Sequence, residues 1–302
     1  MSVVLAISSY NGDEAALRLA RAAMSSDLEG VFTKVAVIDS GDPACCTVLR
    51  DALSHGDPDV EYHWHEGNLG SAGNLVARLR WALHSGAEVV LALNADGALV
   101  ADNVIRMLGW LDLQDVAAVY PTYVMEGERV DLSGRHRVPV LPSRVPLSRF
   151  QSRRTIDVRW GSSNGALYRM DALAAVALDD IAALWYGWED LGIGLSLDAT
   201  GHRQVMCLEA RQPTASDQKN LSRTKLLVSA KAPWTTYYSV RNLALLARQH
   251  PRQTPRIALR IAREFVMILL RDLRIQRYAR AVSGLLDGLR GRSGQQVEPT
   301  VQ

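Results

Sequence analysis

Short apolar runs alternate with amphipathic stretches through the first 120 residues, and this rhythm is the strongest constraint on the fold. Val3–Ile7, Lys34–Ile38, Val60–His63, Val89–Leu93 and Ala117–Tyr120 read as strands; Glu14–Ser25, Cys46–Ser54, Ala72–His84 and Asn103–Leu111 read as the helices between them. That alternation predicts an α/β chain built on a mostly parallel sheet with helices on both faces. The strands are unbroken apolar runs because a sheet covered on both sides buries both rows of side chains.

The rhythm then lapses. Residues 126–159 hold Pro139, Pro142 and Pro146, many arginines and little periodicity, which reads as a mobile surface excursion with a hairpin. Periodicity returns at Asn164–Leu178, and from Tyr237 to about Leu289 the pattern is helical, broken near Pro251 and Pro255. The tail after Gly291 is expected to be disordered. We expect an α/β domain over 1–236 and a basic helical extension over 237–302.

Charge divides along the same line. The formal net charge is only +2, so the chain as a whole is not a nucleic-acid-binding basic protein. Twelve arginines from Arg241 to Arg292 against Glu264, Asp272 and Asp287 make a local +9, which leaves −7 for the rest. Such asymmetry predicts an anionic partner for the tail. The apolar content of 48% excludes wholly disordered and low-complexity classes. Residues 2–7 lack the basic flank of a signal peptide, no window reaches transmembrane length, and Cys45, Cys46 and Cys207 form no C-x-x-C pair. A reducing cytoplasm is the expected setting.

In open α/β sheets ligands bind outside the carboxyl ends of the strands. Four consecutive strands here end in polar residues: Tyr10-Asn11, Asp39-Ser40-Gly41-Asp42, the stretch Glu66–Asn74, and Asn94-Ala95-Asp96. Turn preference alone gives polar strand ends, so each signal is weak singly. Gly70 and Gly73 follow the third strand and contain no Gly-x-Gly, which argues against a dinucleotide site, although a glycine at a helix N-terminus still lets a phosphate or sugar approach. Asp96, with Asn94 beside it, is the candidate position for Mg²⁺ or Mn²⁺ held against a diphosphate; the alternative is an Asp that caps the next helix. Trp185-Tyr186-Gly187-Trp188-Glu189-Asp190 sets a carboxylate pair beside aromatic residues. It reads either as a general base with walls for a sugar ring, or as a helix start with acids favoured by the dipole.

Taken in order, these motifs resemble those of the family 2 glycosyltransferases with a GT-A fold, especially the rhamnosyl- and galactofuranosyltransferase-like branch. The segments that carry the likeness are Tyr10-Asn11, Val37–Gly41, Asn68–Gly73, Leu93–Asp96, Gly165–Arg169, Glu189-Asp190 and Tyr237–Asn242, and they span nearly the whole chain. The resemblance implies inverting transfer of a sugar from a nucleotide donor (UDP, dTDP or GDP) to a hydroxyl of a saccharide or lipid-linked acceptor. It implies Asp190 as the base with Glu189 beside it. Tyr10, Asn11, Asp39, Asn68, Gly70, Gly73 and Asn94 would line the donor site, Trp185, Tyr186 and Trp188 the acceptor site, and Asp96 would bind a divalent cation, Mn²⁺ or Mg²⁺. The chain departs from the family pattern at Asn74, at Asn94 in place of an acid, and around Gln212 and Thr214, where relatives carry a His. Those departures motivate an alternative, a degenerate member that binds nucleotide or a partner without catalysis. A sugar-1-phosphate nucleotidyltransferase is the lesser alternative, for it needs a basic glycine-rich loop where this chain has Ser8–Asp13.

Arginines 256, 260, 263, 271, 274, 277 and 280 recur at helical steps beside an apolar stripe of Ile257, Ile261, Phe265, Ile268, Leu269, Leu273 and Ile275. The stripe reads as a helix packed on the body with solvated arginines, as a peripheral contact with an anionic membrane through 256–280, or as a homodimer contact.

Overall fold

The computed structural model describes residues 1–54, 60–113, 115–125, 127–141, 143–150, 152–213, 232–271 and 275–299. Pro142, Thr214, Leu273 and Arg274 lie outside them. The elements run β1 (Val3–Ser8), α1 (Glu14–Ala23), β2 (Lys34–Gly41), α2 (Pro43–Ser54), β3 (Val60–Glu66), α3 (Gly70–His84), β4 (Val89–Leu93), α4 (Ala101–Leu111) and β5 (Val116–Met125). Then come β6 (Arg129–Asp131), β7 (Arg144–Pro146), β8 (Thr155–Val158), β9 (Ala166–Arg169), α5 (Met170–Leu173), α6 (Leu178–Ala182), α7 (Glu189–Ala199) and β10 (Arg203–Pro213). Helices α8 (Pro233–Gln249), α9 (Thr254–Arg271) and α10 (Ile275–Leu289) follow.

The main sheet runs β3-β2-β1-β4-β9-β5-β10-β8. β1 is parallel to β2 and β4, β2 to β3, and β5 to β10, while β9 lies antiparallel between β4 and β5. The parallel pairing of β1 to β4 puts their four polar ends at one edge, and the order reverses beside β1, where such sheets open a crevice. Period-2 alternation divides the core. Val4, Ala6, Val90 and Ala92 face Leu75 and Leu79 of α3; Leu5, Ile7, Leu91 and Leu93 face α1 and α4 through Ala16, Ala20, Val104 and Met107.

Three expectations need correction. The 126–159 excursion does carry a hairpin, β6 with β7, but Val130, Ile156 and Val158 are buried in the core and β8 closes the sheet beside β10. Strands of three and four residues are too short to display a period. β2 runs on through Asp39 to Gly41, so Asp39 sits inside a strand, not after it. The tail after Gly291 is docked: Gly294 N–H donates to the Ala183 carbonyl (2.7 Å), and the Tyr238 hydroxyl donates to the Val297 carbonyl (2.8 Å) and accepts from its N–H (3.0 Å).

The helical region begins at Pro233, four residues before the expected Tyr237, and Pro sits at a position where a missing N–H costs nothing. α8 packs against α7, Ile257 and Ile261 of α9 join the same apolar cluster, and α10 crosses α8 at its glycines. A Cβ on Gly284 would stand 2.4 Å from the Tyr237 carbonyl oxygen, and one on Gly288 2.5 Å from that of Arg241. Of the expected stripe, Ile257, Ile261 and Ile268 are buried while Leu269 and Ile275 are exposed.

Candidate active site

At the edge formed by β1 and β2, Asn11 holds φ +55°, and its amide oxygen accepts the Asp42 N–H at 2.9 Å. Gly41, at φ +123°, makes room, since a Cβ there would meet that oxygen at 2.0 Å. Tyr10 is half exposed beside it. Asp39 is fully buried: one carboxylate oxygen accepts the Ser40 N–H (2.9 Å) and the other the Tyr62 hydroxyl (2.9 Å). The Asn68 side chain accepts the Gly70 N–H at 2.8 Å, and the Asn68 carbonyl accepts the Trp185 indole N–H at 3.1 Å. Gly70 adopts φ +66°, and a Cβ on it would stand 2.1 Å from the Trp185 carbonyl oxygen, which itself accepts the Ala72 N–H. The loop entering α3 is thus clamped to the loop entering α7. Gly73, one turn on, has only the Leu69 Cβ nearby.

Asn94 carries three bonds. Its N–H donates to the Asn164 side chain (2.9 Å), its carbonyl accepts the Gly97 N–H (2.8 Å), and its amide oxygen accepts from the Arg78 guanidinium (3.0 Å). Asp96 is exposed and has no hydrogen bond or ion pair among the described residues. Arg78, from α3, is 2% exposed, and its Nε and Nη1 have no partner.

Opposite this turn, Trp185 (φ +57°), Gly187 (φ +80°) and Trp188 (φ +67°) bring Glu189 and Asp190 to the first turn of α7. Two bulky residues in the left-handed region store strain of about 1–3 kcal/mol each, which the surroundings must hold. They do so through α8. Asn242 donates to the carbonyls of Leu184, Tyr186 and Gly187 at 2.8–2.9 Å, and Arg241 donates to that of Leu184. Trp185 is buried against Tyr238, ring centroids 4.8 Å apart, and Tyr186 packs on Trp234 at 4.7 Å. The Trp188 indole N–H donates to Ser239, and the Arg260 guanidinium lies 5.5 Å above its ring. Of the three aromatic residues expected at the acceptor, Tyr186 and Trp188 are part-exposed and Trp185 is core.

The profile described as "Glycosyl transferase family 2" matches residues 5–176, more than half of the chain. The chain belongs to glycosyl transferase family 2. It is 30% identical over 96 residues to a polyprenol monophosphomannose synthase of Mycolicibacterium smegmatis, a match covering 31% of this chain and 36% of that protein. It superposes on the mannosyltransferase PcManGT of Pyrobaculum calidifontis, solved with GDP-Man and Mn²⁺, with a TM-score of 0.52 and 15% identity over 97% of this chain and 76% of that one. TarS of S. aureus, solved with UDP-GlcNAc, gives a TM-score of 0.52 at 14% identity over 95% and 72%. GalNAc-T7, solved with UDP, GalNAc and Mn²⁺, gives a TM-score of 0.55 at 12% identity over 81% and 51%. At these identities the likeness establishes the GT-A fold.

In this family 2 chain the two carboxylates share a desolvated setting. Burial first, and the Asp190 charge second, push the Glu189 carboxyl up to about 7, and its Oε2 has no partner. Burial raises Asp190 as well, opposed by hydrogen bonds from Ser163, whose N–H donates at 3.0 Å, and by the Arg78 charge. The pair titrates as a unit. Within the pair the Ser163 hydrogen bonds and the Arg78 charge favour the ionised form of Asp190. Arg78 itself, its pKa lowered to about 10 by burial, stays cationic.

Among the described residues no three His, Cys, Asp or Glu side chains gather to cage a metal. The Asn94 oxygen is engaged by a guanidinium, so the donor set is the single free carboxylate of Asp96. That set fits a hard cation whose remaining ligands are substrate phosphates and water. Gln212, near the expected His position, is buried; it donates to the Ala98 carbonyl (2.9 Å) and leaves its own oxygen unpartnered. Arg78, Ser163 and Asn164 were not singled out from the sequence, and the one available signal was an arginine on the apolar face of α3.

Proposed function

We propose that the chain is an inverting glycosyltransferase that moves a sugar from a nucleotide-sugar donor to a hydroxyl of a saccharide or lipid-linked acceptor. Cell-envelope polysaccharide or glycolipid assembly is its setting, and the rhamnosyl- and galactofuranosyltransferase-like branch its kin. The observation that carries the reading is the desolvated Glu189–Asp190 pair held across from the Asn94–Asp96 turn at the carboxyl edge of the sheet.

Asp190 takes the proton of the acceptor hydroxyl as its oxygen bonds to the anomeric carbon; the bond from that carbon to the donor phosphate breaks, and the nucleoside diphosphate leaves. The Ser163 hydrogen bonds and the Arg78 charge favour ionisation at Asp190, which makes it the base of the pair. Tyr10, Asn11, Asp39, Asn68, Gly70, Gly73 and Asn94 shape the donor side, Asp39 acting from beneath through Tyr62 and Ser40. Tyr186 and Trp188 wall the acceptor side, with Trp185 as their support. A Mg²⁺ or Mn²⁺ ion at Asp96, when bound, supplies a Lewis acid that neutralises charge on the departing diphosphate. The mannosyltransferase structure with GDP-Man and Mn²⁺ supports donor and cation alike.

Residues 1–236 form the catalytic domain in this reading, and the 237–302 extension carries it to the inner face of the plasma membrane. In this reading the contact is peripheral; among the described residues no helix is long and apolar enough to cross a membrane. The Arg78–Asn94 contact, where an acid would ligate metal, favours the competing reading of a chain that binds nucleotide without transfer.

Asp190→Asn separates the two. It is expected to cut transfer by about 10²–10⁴-fold while the thermal shift from the preferred UDP-, dTDP- or GDP-sugar persists. Unchanged turnover removes Asp190 from the role of base, and a nucleotide-sugar shift, with or without Mn²⁺, in a wild type that shows no transfer supports the non-catalytic reading.

A further inference from the structure

The arginine-rich stretch between β6 and β9 meets the elbow between α8 and α9. Arg135, Arg137 and Arg159 from one side, and Arg252 and Arg256 from the other, line a cavity of about 410 Å³. Its shape is fixed from behind: the Trp160 indole N–H donates to the His136 carbonyl at 3.0 Å, and Gln253 in the elbow is buried. Asp198 of α7 is the acid that answers this charge, pairing with Arg137 at 3.0 Å and with Arg159. Arg135, Arg252 and Arg256 have no acidic partner among the described residues. Five guanidiniums against one carboxylate leave a formal +4 in a concave space, where like charges add to a positive potential that attracts an anion. Solvated surface arginines splay apart; these converge from three chain segments.

The cavity adjoins the acceptor side of the catalytic pair. Arg256 and Arg260 stand one turn apart on one face of α9, and Arg260 covers Trp188, two residues before Asp190. Asp198 follows Asp190 by eight residues on α7, roughly 12 Å along the axis.

We infer that this cavity binds the phosphate or diphosphate group of the acceptor, which makes the acceptor a phosphorylated saccharide. Guanidinium forks match phosphate oxygens two at a time, and a diphosphate answers several of them together, which a single carboxylate cannot do. The spacing from Asp190 leaves a saccharide spacer between that phosphate and the hydroxyl that reacts. The assignment to an acceptor rests on the glycosyltransferase reading; the anion site does not.

The test uses full-length protein and inorganic pyrophosphate in EDTA, followed by calorimetry. Arg135→Gln with Arg252→Gln alters two exposed side chains that hold no ion pair, and Asp96→Asn controls for the donor side. The wild type and Asp96→Asn are expected to bind equally, and the double variant at least about tenfold more weakly, with binding that fades as salt rises. Vesicles of phosphatidylglycerol in phosphatidylcholine form the second arm, and there the double variant is expected to associate like the wild type. Equal pyrophosphate affinity in the double variant overturns the site. No pyrophosphate binding together with lost vesicle association overturns it in favour of a lipid headgroup. A nucleotide-sugar thermal shift retained while pyrophosphate fails sinks this site alone and leaves the glycosyltransferase reading standing. Pocket-dependent pyrophosphate binding without any nucleotide-sugar shift overturns the acceptor assignment.

Discussion

Glu189 shows how a single side chain ties the site to stability. Its carboxyl is raised from 4.5 to about 7 in the fold. A group whose folded-state pKa lies above its unfolded value contributes stability in acid and loses it as pH rises through the folded value. Glu189 therefore supports the fold below about pH 4.5 and weighs against it above pH 7. Glu189→Gln keeps the shape and cannot ionise. It is expected to match the wild-type stability at pH 4.5 and to exceed it at pH 8, by roughly 2 kcal/mol. Thermal melts across that range check the sign; a variant less stable than wild type at pH 8 refutes the account. The same logic explains why Arg78 is worth its burial: its charge favours the ionised form of Asp190, and its third nitrogen fixes the Asn94 turn.

At the scale of elements, long apolar runs were legible and short ones were not. β4 falls where the sequence places it, and β1, β2 and α3 differ only at their ends, because a strand buried on both faces or a fifteen-residue helix imposes its own pattern. β9 has four residues, so although periodicity and the Gly165–Arg169 motif marked the segment, its antiparallel place between β4 and β5 was not legible. The Tyr237–Asn242 segment was recognisable as a motif, but its work was not legible, since its partners are carbonyls of residues 184–187, far away in the chain. That work carries a prediction. Asn242→Ala removes the donor to three carbonyls in a strained loop and is expected to cost about 2–4 kcal/mol. Urea unfolding read by tryptophan fluorescence measures the cost, and loss within about 0.5 kcal/mol would show that the loop holds itself. The turnover of the variant should fall more than its donor affinity, because the loop carries Glu189 and Asp190 and the donor edge lies on β1 to β4.

At the scale of the molecule, the charge division separates two surfaces of different purpose. The +9 of residues 241–292 does not all face outward: Arg241 is fully buried, Arg277 is buried, and Arg260 pairs with Glu264 at 2.6 Å. What remains outside on α9 is mixed. Ile257, Ile261 and Ile268 are spent on the body, whereas Leu259, Val266, Leu269 and Leu270 are exposed at 50–74%. A soluble helix packed by one face has no need of a second apolar face. Arg256 lies on the exposed side, and a leucine-rich surface flanked by arginine suits the boundary between headgroups and acyl chains. Each basic residue near an anionic surface adds about 1 kcal/mol, and that share is screened by salt while the apolar share is not. Full-length protein is therefore expected to cosediment with phosphatidylglycerol vesicles, to release partly as salt rises from 50 to 500 mM (roughly 14 to 4 Å of Debye length), and to keep a salt-resistant remainder. Leu269→Asp with Leu270→Asp should abolish that remainder, because it replaces inserted leucines with charges the surface repels, and should leave the Tm unchanged, since neither side chain packs on the body. Undiminished association of this variant would place the contact elsewhere, and its appearance as a monomer where the wild type is a dimer would assign the face to a second copy of the chain.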